Sequence, residues 1–294
     1  MGLMWRKTKK KLALSVVVGT LLILGSATNL WAGTNVNTAA NADWDALASA
    51  DFSGIDAKSL TFNGAHTITV DDGQDIGAIG DAITGASITG GDQTAGVLVF
   101  SGGTTTGSIV YGTIVETNAG TADANDIIIG EAAGANSTGA AKVTFTGAMT
   151  TGADIFVHGT GDSTIILGNG TNGITGALPI TFGSDGNMGA NTLTLSAGTV
   201  VLSGALNVAA VAGDAGSSLT INMAANSTIS GAISDTADAT LVTINVDGSA
   251  TLGSGANAVI DLGDTTSANV EIDNAAVLTL AGTGAITLDS FDIA

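Results

Sequence analysis

Short phrases in which apolar and small polar residues alternate recur along the chain from residue 60 to residue 288. Val270-Glu271-Ile272 and Leu278-Thr279-Leu280 are typical, and each phrase is bounded by Gly, Ala, Ser, Asn or Asp. Alternation with period two is the pattern of a strand that buries one face. The Glu271 carboxylate must then point to water while Val270 and Ile272 point inward. No phrase is as long as a typical helix, so the pattern predicts an all-β fold.

The spacing of these phrases limits the number of possible β architectures. Their centres lie roughly seven to thirteen residues apart, which fits sandwiches, barrels and solenoids. Very short strands, abundant small residues and variable turn lengths favour a parallel β-solenoid (β-helix), in which each coil aligns its strands with the coil below. The clearest phrases predict these inward-facing residues: Leu193, Leu195, Val200, Leu202, Val242, Ile244, Val270, Ile272, Leu278 and Leu280.

The N-terminal residues have a different pattern. Residues 1–32 combine a basic stretch from Arg6 to Lys11 with an apolar run from Leu12 to Leu24, which predicts a signal peptide that is cleaved after Ala32. Residues 33–56 are rich in Asn, Ala and Asp, and we expect an N-terminal cap or linker there. Residues 57–294 show no further change in composition and form the predicted solenoid domain.

Charge excludes one class of partner. The net charge is −19, yet five of the seven basic residues lie within the first eleven positions, and only Lys58 and Lys142 follow Gly33. Such a surface repels a phosphate backbone, so we expect no nucleic-acid binding. The chain has no Cys, so an exported fold of this size would stand without disulfides.

Residues with catalytic or metal-binding chemistry are few. His66 and His158 are the only histidines and lack metal-ligand spacing. We interpret them as surface residues or as members of a ladder along the stacked strands. The densest acidic cluster, Asp71 to Asp75, fits no calcium-loop pattern, and we interpret it as a solvated turn. The sequence therefore predicts no catalytic residue, no cofactor and no metal ligand.

Several of the phrases resemble a known family. Thr-Leu-Thr-Leu-Ser at 192–196, Ala-Gly-Thr-Val-Val-Leu-Ser-Gly at 197–204 and Val-Leu-Thr-Leu-Ala-Gly-Thr-Gly at 277–284 are similar to the passenger regions of bacterial autotransporters. The resemblance covers residues 142–288 and is one of composition and rhythm. It implies a β-helix displayed at a bacterial surface, although the C-terminal translocator of that family has no counterpart in these phrases.

These features lead to one expectation of function and one alternative. We expect an exported, non-enzymatic protein of the cell surface, outer membrane-associated or extracellular, that acts as a structural envelope component or an adhesin-like rod. Its partners would be the cell envelope, neighbouring copies of itself, or a host or matrix surface, with no transmembrane span in the mature chain. The alternative is a secreted carbohydrate-active β-helix, a polysaccharide lyase or hydrolase, which would need paired carboxylates.

Overall fold

The structure is a computed structural model of the 294-residue chain. Its described strands all belong to one compact unit, Asn35–Ala294. The structure describes side chains in residues 69–73, 99–101, 103–110, 127–130, 138–148, 154–168, 174–176, 179–209, 217–234, 241–253, 270–273 and 275–281, and only the backbone of the other strand residues. The predicted signal peptide, residues 1–32, lies outside the described residues.

The described residues form 27 short strands in four sheets, and no helix. The ten-stranded sheet contains, in spatial order, β2 (Ala42–Asp43), β4 (Thr67–Val70), β6 (Val97–Phe100), β9 (Ile127–Ile129), β11 (Ile155–Val157), β14 (Ile180–Phe182), β17 (Leu206–Val208), β20 (Ile233–Asp235), β23 (Ile260–Asp261) and β26 (Ile286–Thr287). The eight-stranded sheet contains β7 (Gly103–Val110), β10 (Ala141–Phe145), β12 (Thr164–Leu167), β15 (Ala190–Leu195), β18 (Ser218–Met223), β21 (Leu241–Val246), β24 (Ala268–Ile272) and β27 (Asp292–Ile293). The five-stranded sheet contains β13 (Ile174–Gly176), β16 (Val200–Leu202), β19 (Ser227–Ile229), β22 (Ser249–Leu252) and β25 (Val277–Leu280). The four-stranded sheet contains β1 (Val36–Thr38), β3 (Leu60–Phe62), β5 (Ile88–Gly90) and β8 (Ile114–Glu116).

Every strand pair is parallel, and the chain visits the sheets in rotation. From β12 onward it passes from the eight-stranded sheet to the five-stranded sheet, then to the ten-stranded sheet, and back. Three consecutive strands therefore make one coil, and each strand pairs with its counterpart in the next coil. Parallel strands need long connections, and here the rest of the coil supplies them. The all-β fold and the predicted parallel β-solenoid are both confirmed.

Strand alignment stays constant while coil length varies. Val143 pairs with Ile165, 22 positions on, and Ile165 pairs with Leu193, 28 positions on. The step from Ile221 to Ile244 is 23 positions. The additional residues of the longer coils lie in the turns, because only the strands have to align with their counterparts in the next coil. This variation explains why the sequence shows a recurrent phrase without a fixed period.

The core is a set of aliphatic ladders inside the coils. In β15 the exposure alternates along the strand, with Leu193 and Leu195 at 0% and Thr192 and Thr194 partly exposed. Burial of each such side chain contributes about 1.5–3 kcal/mol. Three phenylalanines, Phe100, Phe145 and Phe182, are also buried in this core, and Phe100 and Phe145 pack edge to face with ring centroids 6.4 Å apart.

Glycines allow successive turns to touch. A Cβ on Gly161 would lie 2.6 Å from the carbonyl oxygen of Gly139, and one on Gly189 would lie equally close to the carbonyl oxygen of Gly161. A Cβ on Gly231 would overlap the carbonyl oxygen of Gly204. The obstacle is backbone in each case, so a side chain cannot be accommodated by rotation of a neighbour. At these positions glycine is required by close approach of the backbone.

The residues predicted to face inward are buried, except at the end of the set. The first eight of the ten residues are 0–7% exposed, and Leu278 is partly buried against the core. Leu280 pairs with Leu252 and so points the same way, but it is 48% exposed where Leu252 is 2% exposed. β25 is the last strand of the five-stranded sheet in the described residues, so no described strand pairs with its outer edge. Leu280 therefore faces inward, as predicted, but it is not buried.

The segment predicted as a cap or linker contains two strands. β1 and β2 both lie within residues 33–56. They pair in parallel with β3 and β4, so part of this segment belongs to the same sheets as the later coils.

Candidate functional site

The outward face of the eight-stranded sheet carries a column of threonines. Thr164 pairs with Thr192, Thr192 with Thr220, and Thr220 with Thr243, one residue from each of four successive coils. All four side chains are partly exposed. Parallel strands lie about 4.8 Å apart, so the column presents a hydroxyl and a methyl group at that repeat. The result is an uncharged, repetitive surface.

A second outward column, on the ten-stranded sheet, is cross-linked by side chains. The Nδ2 of Asn207 donates to the Oγ1 of Thr181 at 3.4 Å, and the Oγ of Ser234 donates to the Oδ1 of Asn207 at 2.8 Å. These three residues occupy the same position in successive strands. The hydrogen bonds connect neighbouring coils on the outside, where the aliphatic ladders connect them inside.

Charge collects towards the last described coils of the eight-stranded sheet. The Nδ2 of Asn245 donates to the Oδ1 of Asn222 at 3.0 Å, and Glu271 follows Asn245 in the same outward column. Glu271 is exposed, as its place in the phrase predicted, and so are Asp247 and Asp273 in the turns after β21 and β24. These three exposed carboxylates make this edge of the described surface acidic.

The acidic cluster near residue 72 has a structural role. The Asp72 carboxylate accepts the backbone N–H of Thr106 at 3.0 Å and of Gly107 at 2.7 Å. These hydrogen bonds hold the pKa of the Asp72 carboxyl below its usual range, and the nearby Lys142 adds to the effect. The interpretation as a solvated turn was incomplete, because this carboxylate is bound to backbone. Asp75 lies outside the described residues.

The same contact holds an irregular part of β7. Gly103 pairs with Ala141, and Ser108 pairs with Val143. Between these two pairs, β7 advances by five residues while β10 advances by only two. Such a bulge leaves backbone N–H groups without a partner in the neighbouring strand. The Asp72 carboxylate accepts two of them.

His158 is buried and contacts a serine of the next coil. The residue is 2% exposed, and its Nε2 lies 2.7 Å from the Oγ of Ser184, a residue that is itself exposed. The ring also packs against Phe156, with centroids 6.1 Å apart. The interpretation of His158 as a surface residue was wrong, while its contact with an adjacent coil agrees with the ladder interpretation. His66 lies outside the residues with described side chains.

Two carboxylates, those of Asp154 and Asp185, lie close to this pair in the sequence. Asp154 lies at the opposite end of β11, about 13 Å of extended strand away from His158, and burial raises its pKa. The Asp185 carboxylate accepts the backbone N–H and the Nδ2 of Asn187 at 3.2 and 3.1 Å. No group of three or more His, Cys, Asp or Glu among the described residues could hold a metal ion.

Two buried polar residues inside the coils were not anticipated. Asn191 is 1% exposed, and its Oδ1 accepts the backbone N–H of Ser163 at 2.9 Å. The Oγ of Ser163 in turn accepts the backbone N–H of Ala141 at 3.1 Å. Alternation along Asn191-Thr192-Leu193 does place Asn191 inward, so the pattern contained this signal. What it could not show was the N–H group that the side chain binds.

Comparisons with known proteins found no matching family model, no matching curated protein and no matching solved structure. Within the described part of the chain, no helix is long and apolar enough to cross a membrane.

Proposed function

We propose that this chain is an exported, non-enzymatic component of the cell surface, acting as a structural element of the envelope or as an adhesin-like display scaffold. The observation that carries the proposal is the contrast between the inner and outer faces of the described coils from β12 to β21. Aliphatic ladders fill the inside, and uncharged polar columns such as Thr164–Thr192–Thr220–Thr243 line the outside. A repeating polar surface is suited to contacts that repeat, with an envelope polymer, with a matrix, or with further copies.

Three features of the sequence support the proposal. The basic and apolar residues before Gly33 have the pattern of a secretory signal. The remainder carries two basic and 26 acidic residues, a balance that keeps a repetitive surface dispersed in water. The passenger-like phrases between residues 142 and 288 point to the same location by resemblance.

Fractionation of the producing cells tests the proposal. We expect the chain in the envelope fraction or in the material released by an EDTA wash, with an N-terminus at or near Gly33. Recovery from the cytosol with residues 1–32 intact would contradict it.

The enzymatic alternative has its own test. The purified chain is incubated with acidic polysaccharides, and the formation of shorter products is followed. We expect no turnover. Turnover that one Asp→Asn substitution abolishes would replace the proposal with the carbohydrate-active alternative.

A further inference from the structure

The contact between Ser184 and His158 has the geometry of a nucleophile and its base. The Oγ of Ser184 and the Nε2 of His158 are 2.7 Å apart, within the range in which a base accepts a hydroxyl proton. When the imidazole proton is on Nδ1, Nε2 is the acceptor and the serine hydroxyl donates. The two residues come from successive coils, β11 and β14, so the solenoid itself brings them together.

The surroundings hold the base and expose the nucleophile. His158 is 2% exposed, packs against Phe156, and donates its backbone N–H to the carbonyl oxygen of Ile129 at 3.0 Å. Ser184 is exposed, in a turn where the N–H of Gly186 donates to the carbonyl oxygen of Gly183 at 2.9 Å. A small molecule can therefore reach the hydroxyl while the imidazole stays fixed behind it.

We propose that Ser184 is an activated nucleophile that takes up an acyl group from an ester, with His158 as its general base. The Ser184 Oγ attacks the ester carbonyl carbon while its proton passes to His158 Nε2. The ester C–O bond breaks, and the departing alkoxide takes that proton. The products are an acyl-serine on the chain and a free alcohol. The inference concerns one acyl group per chain and is independent of the proposed surface role.

The test uses p-nitrophenyl acetate as the acyl donor and the whole chain as the acceptor. Release of p-nitrophenolate gives the rate, and cleavage before Asp followed by mass spectrometry locates the acetyl group. Trypsin is unsuitable because only Lys58 and Lys142 follow Gly33. We expect one acetyl group per chain, on Ser184.

Three variants decide the outcome. Ser184→Ala removes the hydroxyl that contacts His158 and should abolish the acetylation, while His158→Gln should slow it at least about 100-fold, the lower end of the contribution of a general base. Ser203→Ala is the matched control, because Ser203 is also exposed but donates to the carbonyl oxygen of Gly176 at 3.0 Å. It should react at the original rate.

The inference is overturned if the chain reacts no faster than Ser184→Ala, or if a folded His158→Gln reacts at the original rate. Circular dichroism establishes whether His158→Gln is folded. If it is not, the comparison between the original chain, Ser184→Ala and Ser203→Ala still decides whether Ser184 is activated.

Discussion

The carboxylate of Asp72 accepts the backbone N–H of Gly107 at 2.7 Å, although the two residues are 35 positions apart in the chain. The contact joins the turn after β4 to the bulge in β7. It shows how a side chain can complete the hydrogen bonding of a coil where strand pairing is interrupted.

The first prediction concerns acid stability at this contact. The folded-state pKa of Asp72 is lowered, so its stabilising effect is present above the unfolded pKa and is lost as the pH falls through the folded value. Asp72→Asn should therefore lower the free energy of unfolding by about 1 kcal/mol at neutral pH, a small value because solvent screens the group. The difference should disappear in acid below the folded pKa. Urea unfolding at several pH values measures it.

Asp273→Asn is the control for that series, because Asp273 is an exposed aspartate in the turn after β24. It should change stability by less than Asp72→Asn at every pH. Equal effects of the two substitutions would show that the hydrogen bonds to Thr106 and Gly107 do not stabilise the fold.

The second prediction tests the assignment of inward and outward faces. Val270→Asp places a carboxylate at a position that is 0% exposed and surrounded by aliphatic side chains. We expect a loss of about 3 kcal/mol or more in the free energy of unfolding. Glu271→Ala, its neighbour on the exposed face, should stay within about 0.5 kcal/mol. If the two variants unfold at the same denaturant concentration, the assigned face is wrong.

The third prediction concerns close contact between turns. Gly231→Ala would overlap the carbonyl oxygen of Gly204, and we expect it to cost about 2 kcal/mol or more. Gly186→Ala has open space around the new methyl group, so its only cost is the strain of a non-glycine residue at a φ of 83°. We expect this strain to lower the free energy of unfolding by about 1 kcal/mol. Thermal unfolding should give a lower Tm for Gly231→Ala than for Gly186→Ala. The reverse order would contradict the close approach at Gly231.

The fourth prediction concerns the polar pair inside the coils. Asn191→Ala removes the oxygen that accepts the N–H of Ser163, leaving a buried donor without this partner. Such a loss costs about 1–3 kcal/mol. Thr192→Ala, one position along on the outward face, is the control and should cost less. Hydrogen exchange at Ser163 should become faster only in Asn191→Ala.

The fold could be read from the sequence because it depends on a local pattern. Alternation in Val270-Glu271-Ile272 defines which side chain is buried whatever the neighbouring coil contains. The same rule fails at Ile128, which points outward between two inward isoleucines and is nevertheless only 4% exposed. Alternation describes one strand, and burial also depends on what packs over its other face.

The contacts between coils could not be read in this way. Ser184 meets His158 only because β14 pairs with β11, and their separation of 26 positions follows from turn lengths that vary from coil to coil. Asp72 is similar, since its partners lie in a bulge that looks like a Gly- and Thr-rich turn in the sequence. Contacts of this kind need the register between coils, which a single sequence without a fixed period does not define.

The most direct test of the proposed function is the accessibility of the chain on intact cells. The chain contains no Cys, so Ala197→Cys, in an exposed turn, introduces a single reactive thiol. Ala141→Cys, at a position that is 2% exposed, is the matched buried control. The proposed surface role predicts that a membrane-impermeant maleimide labels Ala197→Cys on intact cells and labels Ala141→Cys only after denaturation. Labelling of Ala197→Cys that requires cell lysis would contradict it.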